Sequence, residues 1–145
     1  EAALAERARL SALCDALADQ AGEHAQRLAD EVLDFAIGIA RHLVGEVVSV
    51  KRDLVLPIVT QALRDLPQAS QRVQLALNPS DVELVRAHLG PPTAGRTIEL
   101  VPDAAIAPGG VRVESEQAEI DATLTARWRN VLAALGRHDD WIDLA

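Results

Sequence analysis

The first 47 residues contain no proline and only three glycines, Gly22, Gly38 and Gly45. Along them, apolar or small residues recur at Leu10, Cys14, Leu17, Ala21, Leu28, Val32, Phe35, Ile39 and Leu43. Steps of three and four draw one stripe along an α-helix. At 1.5 Å per residue such a helix is roughly 65 Å long. A globular domain made from the rest of the chain cannot cover that length. The second half of the helix is therefore expected to pack on its own domain, and the first half to pair with another helix as a coiled coil. Alanine dominates the seam toward the N-terminus, where close but weak pairing is expected, and His24 falls on that seam. Leu10, Leu17, Leu28 and Phe35 are assigned to a homodimer interface. The chain opens in mid-pattern without a methionine, so the helix is expected to continue upstream.

Residues 48–145 carry shorter signals. The stretch "SVKRD" breaks the first helix, and a second is expected from Leu54 to Leu66, with Asp53 as its cap and Pro57 in its first turn. "RVQLALNP" alternates Val73, Leu75 and Leu77 as a strand. Asn78 then reads as a helix cap with Pro79 at the first helical position. The helix that follows turns Val82, Val85 and Leu89 inward and stops at Gly90. "GPPTAGR" is a loop, "TIELVP" a strand, and "DAAIAPGG" an irregular linker. Two more strands, Val111–Glu114 and Ala118–Ala122, form a hairpin. A last helix should be capped by Asp121 and bury Leu124, Trp128, Val131, Leu132 and Leu135. The fold class is α+β: a long N-terminal helix, coiled-coil-like over 1–47, then a small mixed sheet covered by helices over 48–145.

Composition narrows function by exclusion. The chain is 145 residues long with a formal net charge of -8, and only one of its 14 basic residues, Lys51, is a lysine. Acidic residues dilute the arginines throughout, and aromatic residues make up 2%. Both features argue against nucleic acid and an anionic membrane as partners. No apolar run reaches the roughly 18 residues of a membrane span, so no membrane insertion is expected. The lone Cys14 excludes an intramolecular disulfide and fits a reducing compartment. His24, His42, His88 and His138 form no metal-binding spacing, so neither a metal nor another cofactor is expected. Gly109-Gly110 lacks the lysine and the helix of a phosphate loop and reads as a turn with positive φ. Glu114, Glu116, Glu119 and Asp121 crowd the hairpin. An enzyme using these carboxylates is the reading from a different class, but Glu119 and Asp121 are expected on a solvated face, where acid–base work is poorly supported.

The segment "GGVRVESEQAEIDATLTARWRNVLAAL" resembles the C-terminal end of the FliH/SctL family. It presents Gly109, Gly110, Val113, Glu114, Ile120, Asp121 and the pair Arg127-Trp128 in the family's order. "FAIGIARHLVGEVVSVKRDLVLPIVTQALRDLP" is similar to the family's helix pair, and "VQLALNPSDVELVRAHL" to its strand–Asn-Pro–helix segment. The resemblance runs from about Phe35 to Leu135. It implies a non-catalytic, cytoplasmic, stator-like regulator that dimerises and binds the N-terminal region of a type III export ATPase, restraining and tethering it. "RWRNVLAALGR" resembles the flagellar members more closely than the injectisome ones. An injectisome regulator, or a peripheral-stalk subunit of a rotary ATPase, shares the same plan. Flagellar members also dock on the rotor ring of the export apparatus through an upstream segment with Gly-x-x-x-Gly repeats. The present residues do not match that segment, and ring docking does not carry over to them. For partner binding the candidates are Trp141, Glu119 and Asp121. Trp141 either anchors a partner or folds back on the domain, whereas Trp128 is expected in the core.

Overall fold

The computed structural model describes residues 1–91 and 95–138. The chain divides into two compact units, Glu1–Val44 and Gly45–Ala145. Helix α1, Ala2–Val50, begins in the first and ends in the second. It ends at Val50, three residues beyond the expected end at residue 47. With no proline before Pro57, nothing in that stretch removes a backbone donor, and its many alanines favour the helix.

The second unit is α+β, as expected. After α1 comes a 3-10 turn, Arg52–Leu54, then α2 (Val55–Asp65), β1 (Arg72–Leu77), α3 (Val82–Leu89), β2 (Thr97–Pro102), β3 (Val111–Ser115), β4 (Glu119–Ala122) and α4 (Leu124–Ala134). The sheet order is β2-β1-β3-β4. β1 and β2 are parallel, joined through α3, because parallel neighbours need a long crossover. β3 is antiparallel to both β1 and β4.

Period-two patterning decides which face is closed. Val73, Leu75 and Leu77 of β1 and Val111 and Val113 of β3 are at most 1% exposed. They form one core with Val55, Val59, Ala62 and Leu66 of the α2 region and Val82 and Val85 of α3. The alternate residues Gln74, Glu99, Glu114 and Glu119 are exposed, so the opposite face meets water there.

Three expected caps are corrected by where the side chains bond. Asp53 lies inside the 3-10 turn, and α2 starts behind Leu54 with no side-chain cap. Asn78 caps a turn rather than a helix: its Oδ1 accepts from the N–H and hydroxyl of Ser80, and its Nδ2 donates to the Ile106 carbonyl. α3 begins four residues later, at Val82. The last helix is capped by Thr123, whose hydroxyl accepts from Ala126 N–H, while Asp121 Oδ1 accepts from Thr123 N–H. The buried stripe of α4 is also narrower than expected. Trp128 and Leu132 are buried, one turn apart, but Val131 and Leu135 are 55% and 54% exposed. Gly136, at φ 73, ends the helix as a left-handed turn, with Gly136 N–H on Ala133 O and Arg137 N–H on Leu132 O.

Candidate functional site

Two surfaces stand out, one in each unit. The first is the stripe on α1. Leu10, Leu17, Leu28 and Phe35 are 59%, 58%, 53% and 73% exposed, and Val32, Ile39 and Leu43 continue the line. The Cys14 thiol lies on the same stripe and is exposed. Apolar area of this extent is stabilised by removal from water, at roughly 25 cal/mol for each Å² covered. A long row of large apolar side chains is thus left in solvent along α1.

The second surface is the open face of the sheet. Strand register places Glu99, Gln74, Glu114 and Glu119 in one row across all four strands. Gln74 Nε2 donates to Glu99 Oε2 at 3.2 Å, which neutralises no charge. Glu114 and Glu119 are direct cross-strand neighbours, an arrangement of like charges that costs stability in isolation. The next row sets Arg112 opposite Asp121. Glu116 leaves the acidic group, because its carboxylate accepts the Arg72 backbone N–H at the hairpin end.

Asp121 is held ionised. Partial burial pushes its carboxyl upward, but the hydroxyl and N–H of Thr123, with Arg112 and Arg129 nearby, outweigh this and leave it below the usual carboxylate value. That bonding makes Asp121 a support for the start of α4 and leaves it poorly suited to donate a proton near neutral pH. A polar cavity of about 310 Å³ adjoins it, walled by the linker after β2 (Asp103, Ala105, Ile106, Ala107) and by Leu124 and Arg129 of α4.

Of the predicted partner-binding residues, Glu119 and Asp121 thus share one strand face, and Trp141 lies outside the described residues. Trp128 is 8% exposed. Glu99 escaped the sequence reading; only the pairing of β1 with β2 brings it beside Gln74, and no local motif encodes that. Among the described residues no three His, Cys, Asp or Glu side chains are grouped so as to hold a metal ion. No helix among them is long and apolar enough to cross a membrane.

Comparison with known proteins bears on both surfaces. Residues 4–131 match the family model described as flagellar assembly protein FliH. The flagellar assembly protein FliH of Escherichia coli K12 is 28% identical over 111 residues, 75% of this chain and 49% of the relative. That of Salmonella typhimurium LT2 is 27% identical over 111 residues, 75% of this chain and 47% of the relative. The chain therefore spans about half the length of these curated relatives. Because the family match takes in α1, the whole sheet and most of α4, the chain belongs to the FliH family of flagellar assembly proteins.

Proposed function

We propose that this chain is a non-catalytic, stator-like part of the flagellar export machinery. Residues 1–47 pair with a second copy along the α1 stripe, and residues 48–145 form the head that binds the N-terminal region of the flagellar type III export ATPase. In this role the dimer restrains and tethers the enzyme at the cytoplasmic base of the export apparatus. The observation that carries the reading is the contrast on one chain between a closed aliphatic core in the head and an equally aliphatic, uncovered stripe on α1. A rod that needs a partner helix and a compact head with an acidic open face fit a tether.

The partner segment that suits the head is a basic-rimmed amphipathic helix. The row Glu99, Glu114 and Glu119, with Asp121 beside it, would attract such a rim and raise the association rate. The test is co-purification: the tagged full-length protein, expressed in its host, recovers the flagellar export ATPase at about two copies per enzyme. Lysine at both Glu114 and Glu119 weakens that recovery while leaving the head folded. Recovery of no ATPase by the full-length protein contradicts the tether, and recovery of an injectisome ATPase or a rotary-ATPase stalk moves the protein to a sister system.

A further inference from the structure

Asp81 lies where the start of α3 meets the Arg52–Leu54 turn and the 103–110 linker. Its side chain is 1% exposed. Oδ2 accepts the Gly109 backbone N–H at 2.8 Å. Oδ1 lies 3.7 Å from Nε of Arg52, an ion pair too long for a hydrogen bond, and the Arg52 side chain is 44% exposed. Asp81 occupies the residue before α3, where an aspartate ordinarily bonds the first amides of its own helix; it makes no such bond. Its charge is turned instead toward two segments 28 and 29 residues away in sequence.

Gly109 is held from the other side as well. Its φ is +87°, and a Cβ there would lie 2.8 Å from Cγ1 of Val48, in the last turn of α1. Gly109 is close to the end of the linker whose earlier residues Asp103, Ala105, Ile106 and Ala107 wall the polar cavity beside α4. Ile106 of the same linker is 3% exposed, and Asn78 holds its carbonyl. The linker is therefore packed and hydrogen-bonded, and its Gly109 lies close to Val48 at the end of α1.

We infer that Asp81 is a conformational pin that ties the C-terminal end of α1 and the following 3-10 turn to the 103–110 linker. Val48 bears on Gly109 directly, and Arg52 reaches the same glycine through the Asp81 carboxylate. A displacement at the end of α1 is passed by these two links to the wall of the cavity beside α4. A buried carboxylate with one hydrogen bond and one loose cation is sensitive to loss of either partner, because the remaining charge stays out of water. Arg52, being half in solvent, is the link that a load or a partner reaches first. The inference rests on contacts within residues 45–138 and stands whether or not α1 pairs.

Residue-resolved amide exchange on the full chain tests it, comparing Arg52→Ala, Asp81→Asn and the double variant. Arg52→Ala should speed exchange at the Gly109 amide and across residues 103–110 by about threefold, the scale of one partly exposed ion pair, while the Leu75 amide in β1 keeps its rate. The double variant should exchange no faster than Asp81→Asn, since both changes remove one link. Unchanged exchange at Gly109 in Arg52→Ala overturns the pin, and so do effects that multiply in the double variant. If Asp81→Asn fails to fold, Arg52→Ala still decides, because a half-exposed arginine is dispensable for a core. Acceleration spread evenly to Leu75 would make the pair a general stabiliser and overturn the inference too.

Discussion

Helix α1 and the sheet unit are written in the same aliphatic alphabet and use it in opposite ways. In the sheet unit, Val55, Val59, Leu75, Val85, Val111 and Val113 are fully buried within their own chain. In α1, Leu10, Leu17, Leu28 and Phe35 lie at more than half exposure, and only Ile37 is buried. Both regions satisfy a periodic pattern, one with period two and one near 3.6. The pattern marks which side of an element is apolar, but the location of the covering surface is a separate fact. The strands find that surface in α2 and α3, whereas along α1 the stripe from Leu10 to Leu43 is left exposed.

The largest test of this contrast sets one leucine against another. Leu75→Ala should destabilise the sheet unit by about 3 kcal/mol, because a cavity opens in a closed core. Leu28→Ala should leave unfolding of that unit within about 0.5 kcal/mol of wild type. Denaturant titration, followed by the near-ultraviolet signal of the buried Trp128, separates the two; equal losses would break the comparison.

Glycines give the next test. Gly109→Ala should cost about 2 kcal/mol, since its backbone is left-handed and Val48 fills the space of a Cβ. Gly22 has nothing within 4 Å of the Cβ position and lies in mid-helix, so Gly22→Ala should instead raise stability of α1 by about 0.8 kcal/mol. Thermal melts followed by circular dichroism would show the opposite signs.

A smaller loss, about 1 kcal/mol, is expected for Thr123→Ala, which removes the acceptor for Ala126 N–H. The matching loss of a hydroxyl inside α1, Ser11→Ala, should cost nothing and slightly stabilise the helix, because no cap lies there and alanine is the better helix former. The smallest effect is a pH dependence. Asp121 has its pKa lowered in the folded state, so its contribution is present above the unfolded carboxylate value and is lost as pH falls through the lowered one. Asp121→Asn should therefore be slightly less stable than wild type at pH 7, with the difference shrinking as pH falls below the ordinary carboxylate range. A difference that grew on acidification would contradict this.

Period and punctuation made much of the architecture legible. The α1 stripe, the alternation of β1, the stop at Gly90 and the hairpin all follow from local spacing. The caps were displaced because Asn78, Asp81, Asp121 and Thr123 are all capping types, and only geometry distributes them. Asn78 closes a turn, Asp81 turns away to Gly109, and Asp121 supports Thr123, which is the cap. On α4 the steps of three and four admitted five inward residues, whereas only the narrower ridge of Trp128 and Leu132 is buried. The acidic row was half legible. Glu114 and Glu119 sit on one hairpin, but Glu99 joins them through a parallel pairing that no nearby residue announces. The link from Asp81 to Gly109 spans 28 residues and has no sequence signature.

The central claim is that α1 carries its apolar stripe for a second copy of the chain. Sedimentation equilibrium of the 145-residue chain tests it most directly. The account predicts twice the 15.5 kDa chain mass at micromolar concentration, and a return to a single chain when Leu28 and Phe35 are both replaced by Asp. A single-chain mass for the unaltered protein at every concentration, unchanged by those substitutions, would contradict it.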